Sequence, residues 1–182
     1  MKGFVIGFVV ALACVAGSVY FYFSAGAAPV AVSAQAMPFE RSLAQKALRA
    51  RVEKEMPKAP PPVPANDENY MAGAHIYAEH CAVCHGLPGQ DSEMGRNEFP
   101  RAPQLFKGTG VTDDPAGETY WKVVNGIRLT GMPQFKGHIS DTEAWQVSIL
   151  LANADKIGPS VRQYLASQHV EPEESGEARH EH

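Results

Sequence analysis

Cys81-Ala82-Val83-Cys84-His85 places two thiols three positions apart and an imidazole directly after the second. That spacing is the attachment pattern of a c-type haem. The two thiols add to the porphyrin vinyl groups as thioethers, and one turn of helix matches the vinyl spacing. His85 then lies under the ring and offers a nitrogen to the iron. A zinc knuckle needs a second ligand pair at matching spacing, and the only other cysteine is Cys14. A redox dithiol of the thioredoxin kind wants an alternating strand–helix context, which the flanking sequence lacks. One covalent haem c is therefore the expected cofactor.

The sixth iron ligand separates an electron carrier from a gas binder or a catalyst. Met132, in Thr130-Gly131-Met132-Pro133, lies forty-seven residues beyond His85. Gly131 permits close backbone approach, and Pro133 stiffens the next turn. A thioether favours ferrous iron and raises the potential relative to a second histidine. Against this stands the ordinary role of methionine as a gap-filler in a core. Met94 follows Cys84 too closely to swing to the opposite face, and Met71 lies upstream on the first helix of the domain. His138 is a substitute ligand, whereas His75 and His80 are expected on the solvent side of that helix.

The elements that must position these groups are helical. Asn66-Asp67-Glu68 is a good N-cap with acids in the first turn. Tyr70, Ala74, Tyr77 and Cys81 then recur at helical spacing into the haem motif. Glu118 to Asn125 is a short helix closed by Gly126. Ser140-Asp141-Thr142-Glu143 is a capping box ahead of Trp145, Val147, Ile149, Leu150 and Leu151. Gly158-Pro159-Ser160 starts a last helix running to about Gln168. The stretch between His85 and Glu118, rich in glycine and proline, is expected to be loop wrapped around a cofactor.

From about Asn66 to about Ala152 the residues resemble the class I c-type cytochrome family in its small single-haem form. The resemblance is carried by Gly73-(x)3-Tyr77 before Cys81-Ala-Val-Cys84-His85-Gly86, by Ala102-Pro103-Gln104-Leu105, by Asn125-Gly126-Ile127, and by Gly131-Met132-Pro133. A closing helix bears Trp145 and Leu150. It implies an all-α wrap around one haem whose edge meets solvent, with Pro103 supplying a carbonyl to the second ring nitrogen of His85. Trp145 has two readings, ordinary helix packing or contact with the haem, its indole N–H reaching a propionate. The implied role is electron transfer, with no bond chemistry catalysed by the chain itself. The implied partners are redox protein donors and acceptors, a membrane respiratory complex among them, and no small-molecule substrate. The rival is a gas sensor or peroxidase-like enzyme with a labile sixth site, but no acid–base pair is evident for peroxide chemistry.

No charged residue separates Lys2 from Glu40, and Phe4 to Phe23 is a nearly unbroken apolar run. At about 1.5 Å per residue this run is roughly 30 Å long, the hydrocarbon thickness of a bilayer. Tyr20-Phe21-Tyr22-Phe23 suits an interface belt. A cleaved signal peptide is the competing reading, with Ala25-Gly26-Ala27 as its cleavage site, but the apolar run exceeds the usual signal core. Cys14 as a lipidation site is weaker than Cys14 as a buried membrane thiol. Haem attachment of this type occurs outside the bacterial inner membrane, as the resemblance implies. The expected topology is therefore a single pass with the N-terminus cytoplasmic and the haem domain periplasmic.

The expected organisation is an anchor over residues 1–25, a spacer over 26–65, the haem domain over 66–168 and an acidic disordered tail over 169–182. Residues 38–56 of the spacer look helical, with Phe39, Leu43, Ala47 and Ala50 on one stripe. That helix is either a docking surface or a solvated spacer. Pro57 to Pro64 is a stiff polyproline stretch. Residues 1–65 hold seven Lys or Arg against three Asp or Glu, residues 66–168 eight against twelve, and residues 169–182 one against five. Nothing in the sequence signals nucleic-acid binding. His180 and His182 in the tail could take up stray metal.

Overall fold

In the computed structural model, residues 1–169 are described; the acidic tail with His180 and His182 lies outside them. Eight helices follow in order: α1 (Lys2–Ser24), α2 (Glu40–Glu55), α3 (Asp67–His80), α4 (Ala82–His85), α5 (Glu93–Asn97), α6 (Ala116–Asn125), α7 (Asp141–Ala152) and α8 (Pro159–Ser167). Among the described residues there is no strand, only two isolated bridges at Leu87–Gln90 and Lys136–Ile139. Among the described residues the fold is all-α, with an apolar helix preceding a packed helical domain. The chain divides into two compact units, Met1–Ala44 and Gln45–His182.

In the first unit α1 is apolar throughout and none of its residues is buried. It is long and apolar enough to cross a membrane, and Tyr22 and Phe23 pack edge to face at its C-terminal end.

The second unit is built around the crossing of α3 and α7, with α6 and α8 packed beside it. The crossing is close because Gly73 has no side chain: a Cβ there would run into the backbone carbonyl of Gln146. Gln146 also donates from Nε2 to Asn69 Oδ1 at 2.9 Å, which fixes the register of the two helices. Tyr70, Ala74 and Tyr77 of α3 meet Val147, Leu150 and Leu151 of α7 in one core with Val161 and Leu165 of α8. The ends of the helices are closed locally. Asn66 Oδ1 accepts from Asn69 N–H at 3.0 Å. Ser140 and Glu143 form the reciprocal capping box, at 3.2 Å from Glu143 N–H to Ser140 Oγ and 2.7 Å from Ser140 N–H to Glu143 Oε2. Each such cap contributes about 1 kcal/mol.

One feature differs from expectation. The stretch between His85 and Ala116 contains the short helix α5, started by Ser92, whose hydroxyl accepts from Gly95 N–H at 3.0 Å and donates to the Val83 carbonyl. In α2 the stripe of Phe39, Leu43, Ala47 and Ala50 is exposed, which both readings of that helix allow, and the one buried residue is Val52. Downstream, the Pro57 carbonyl sits against Gly117, where a Cβ would collide with it. The chain leaving α2 therefore returns onto the start of α6.

Candidate haem site

Cys81 is both the C-cap of α3 and the N-cap of α4, with φ −112° and ψ −35°. Its carbonyl accepts from Cys84 N–H at 3.2 Å and from His85 N–H at 2.9 Å. One tight turn thus carries Cys81, Cys84 and His85 at positions i, i+3 and i+4, which share a helix face. Gly86 ends the turn at φ +73°, where a Cβ would meet the Gln90 carbonyl. The buried hydroxyl of Tyr77 donates to the Gly86 carbonyl at 2.8 Å. Burial raises the Tyr77 phenol far above its ordinary range, so it remains a neutral donor. Tyr77 also packs edge to face on Phe106, ring centroids 4.9 Å apart.

The imidazole is oriented from the following loop. His85 Nδ1 lies 2.7 Å from the Pro103 carbonyl oxygen. A carbonyl only accepts, so the proton sits on Nδ1 and the lone pair of Nε2 is left for a ligand. Pro103 is itself held on both sides. Ala102 N–H donates to the Gly95 carbonyl at 3.0 Å. Gln104 Nε2 donates to the Leu87 carbonyl at 2.5 Å, while Gln104 Oε1 accepts from Phe106 N–H at 2.6 Å. Burial lowers the His85 pKa, with the Pro103 hydrogen bond and the Glu98 charge acting in the opposite sense. The ring is therefore neutral at neutral pH, the form that binds metal.

Both thiols are free of disulfide bonds. Burial, with Cys84 nearby, pushes Cys81 up to about 12. Burial and the hydrogen bond with Glu98 push Cys84 up to about 11. Reactive or zinc-binding thiols need the thiolate at neutral pH; these are thiols. Among the described residues no cluster of three or more His, Cys, Asp or Glu could hold a metal ion.

Met132 is half-buried against the core, alongside Leu105, Phe106 and Phe135. Its loop is pinned at several points. Gly126 turns at φ +65°, where a Cβ would meet Gln134 N at 2.7 Å and Met132 O at 2.9 Å. Ile127 N–H donates to the Met132 carbonyl at 3.2 Å. Thr130 Oγ1 donates to the Ile127 carbonyl at 2.7 Å and accepts from Met132 N–H at 3.1 Å. Phe135 N–H reaches Val123 O on α6 at 3.0 Å.

Glu98 bridges the two halves of the site. Cys84 Sγ donates to its Oε1 at 3.4 Å, and a Cβ on Gly131 would lie 2.5–2.7 Å from its carboxylate. The turn bearing His85 and the loop bearing Met132 therefore face each other across one side chain. Glu98 and the clamp made by Gln104 escaped the sequence reading. Gln104 lies inside a recognised motif segment, but Glu98 has no local signal, because its partners are fourteen and thirty-three residues away.

The remaining candidates are spread around the domain. Trp145 is 5% exposed. It stacks on Tyr120 between α6 and α7, ring centroids 4.1 Å apart, and the Tyr120 hydroxyl donates to Asp141. His138 is exposed. His75 lies against Tyr164, with ring centroids 4.2 Å apart. Met94 Sδ is 4.0 Å from Cys84 Sγ, on the cysteine side of the site.

The residues present fit a covalently held haem: two unpaired thiols and a tautomerically fixed imidazole on one turn, faced by a loop carrying a thioether. Residues 68–149 match the family model described as cytochrome C oxidase, cbb3-type, subunit III. No curated protein and no solved structure matches the chain.

Proposed function

Since residues 68–149 belong to the class I c-type cytochrome family, a family of haem-based electron carriers, we propose that this chain is a membrane-tethered carrier of single electrons. Cys81 and Cys84 hold one haem c. Their thiols would hold the porphyrin through thioether bonds. His85 and Met132 would bind the iron. When bound, the haem supplies an iron that cycles between ferrous and ferric. Pro103 holds the His85 ring in the tautomer that leaves Nε2 basic. Met132, pinned through Ile127 and Thr130, keeps a soft donor in reach without rearrangement, which suits fast transfer. Trp145, buried and stacked on Tyr120, would pack in contact with the haem.

The observation that carries this reading is the 2.7 Å contact of His85 Nδ1 with Pro103, beside two unpaired thiols. The test is holoprotein made in a host competent for haem attachment. Mass spectrometry shows one porphyrin adduct, absent from Cys81→Ala, Cys84→Ala. Met132→Ala lowers the reduction potential and opens the ferrous form to carbon monoxide. An unchanged spectrum and potential in that variant would remove Met132 and turn the assignment toward a labile sixth site.

With α1 as an anchor, haem attachment outside a bacterial inner membrane would put the domain on the periplasmic side, with the N-terminus cytoplasmic. Protease added to intact spheroplasts then digests the haem domain. The family model's description makes a fixed oxidase subunit the natural variant of this role. Other chains co-purifying in mild detergent would identify it, whereas a lone chain is a mobile tethered carrier.

A further inference from the structure

Between α1 and Gln45 four large apolar side chains stand in the open: Val30 at 94%, Val32 at 56%, Phe39 at 77% and Leu43 at 64%. The next such side chain is Val83, forty residues on. The exposed apolar surface of α1 therefore continues past Ser24 and then stops. Residues 25–39 also carry no charge, extending the uncharged run that begins after Lys2. A single exposed apolar residue needs no explanation, but a stretch of them does. Val30 and Val32 follow Ser24 by six and eight residues, at most about 20–30 Å of extended chain.

Phe39 opens α2 with a φ of +66°, a region that bulky L residues seldom occupy. Hydrogen bonds hold the turn in place. The Phe39 carbonyl accepts from Leu43 N–H and from Ser42 Oγ, each at 2.9 Å. The backbone is thus kept in a costly conformation that leaves an aromatic ring exposed, a combination that marks functional segments. Phe39, Leu43 and Lys46 follow at i, i+4 and i+7, on one face of the helix; Val52, the buried residue of α2, is not on it. Residues 38–51 hold four cations, Arg41, Lys46, Arg49 and Arg51, against one acid, Glu40. That acid is turned back on its own turn, where Glu40 Oε2 accepts from Met37 N–H at 2.8 Å.

We propose that residues 30–46 lie in the head-group layer of the membrane that α1 enters. Val30, Val32, Phe39 and Leu43 reach the acyl boundary, and Lys46 meets an anionic lipid phosphate. Lipid is the occupant that fits each observation. The stretch is continuous with an apolar helix long enough to span a bilayer, and its apolar face ends in cations, the pattern of a segment lying in the interface. The stem of Lys46 can cover apolar surface while its ammonium stays among phosphates. A ring set outward is favourable where an acyl surface receives it. The stretch is then a second attachment to lipid beside α1, in place of a solvated spacer. This surface rests on the anchor reading of α1 above.

The experiment uses full-length holoprotein, one copy per nanodisc of phosphatidylglycerol bearing a diazirine on its acyl chain. After illumination, mass spectrometry maps the lipid adducts along the chain. Residues 30–46 carry them as α1 does, and α8 carries none. Phe39→Ser with Leu43→Ser lowers the yield on residues 30–46 about tenfold, leaving the yield on α1 and the haem spectrum unchanged. Lys46→Gln lowers it about fivefold on phosphatidylglycerol, and not on phosphatidylcholine bearing the same diazirine. Adducts on α1 with none on residues 30–46, or a yield there that neither variant lowers, would overturn the surface and leave the anchor standing. No adduct on α1 defeats the anchor reading, and the surface with it. Yield lost from residues 30–46 on going from one copy per disc to two would assign the stretch to a second copy of the chain. Yield present in discs but absent from vesicles of the membrane in which the chain is made, doped with the same lipid, would assign it to a partner protein. Either result overturns the proposal.

Discussion

α1 and α7 are both rich in apolar residues, and they use them in opposite ways. Seven of the twelve residues of α7 are buried, whereas none of the twenty-three in α1 is. Composition alone does not separate the two. The difference is in their neighbours: α7 has Gly73 of α3 against its backbone and α6 along its flank, and α1 has no protein partner for its side chains. An apolar helix of that length is long enough to cross a membrane. The two helices therefore predict different consequences for the same kind of substitution.

The largest expected effect comes from removing what the helices of the second unit enclose. The Cys81→Ala, Cys84→Ala chain, lacking covalent haem, loses a cooperative melting transition, because a domain of this size is marginal without its cofactor. Differential scanning calorimetry checks it; a cooperative transition matching the holoprotein would refute the dependence.

Next are the paired substitutions. Leu150→Ala in α7 removes a fully buried side chain and costs about 2–5 kcal/mol in denaturant titrations of the holoprotein. Leu12→Ala in α1 leaves the melting of the haem domain unchanged. Leu12→Asp, by contrast, costs about 3 kcal/mol of membrane insertion, read as chain lost from the membrane pellet. Equal melting losses from Leu150→Ala and Leu12→Ala would erase the distinction between the helices.

Smaller again is Gly73→Ala. Its added methyl meets the Gln146 carbonyl, so α3 and α7 must separate slightly, at about 1–3 kcal/mol, measurable as a lowered melting temperature.

The smallest effect is at the start of α7. Hydrogen bonds from Ser140 hold the Glu143 carboxyl below its ordinary value near 4.5. A depressed folded-state pKa stabilises above the unfolded value, and the contribution disappears as pH falls through the folded one. Stability should therefore decline slightly as pH drops below about 4.5, and Glu143→Gln should remove that part of the slope. α1, with no titratable cap, has no counterpart.

Legibility followed sequence distance. The capping box at Ser140, the Asn66 cap and the helix ending at Gly126 involve partners within a few residues, so local pattern exposed them. The turn of Cys81, Cys84 and His85 was equally plain, since the three are constrained by one helical turn and by the chemistry of their side chains. In α2 the burial of Val52 was not legible, because no periodicity within α2 records the return of the chain that places Pro57 against Gly117. Glu98 was invisible for the same reason.

By itself, then, the sequence determined the covalent chemistry on offer, the helical elements and the apolar run long enough for a bilayer. Those depend on residue type and on spacings of three or four positions. Only the tertiary structure decided how Gln104 clamps the loop whose carbonyl meets His85 and which carboxylate lies between the cysteine turn and the methionine loop. Each of these is a meeting of segments separated by ten to forty residues. Such meetings are settled by packing over the whole domain, with Gly73 and Gly95 each admitting a backbone carbonyl from a distant segment.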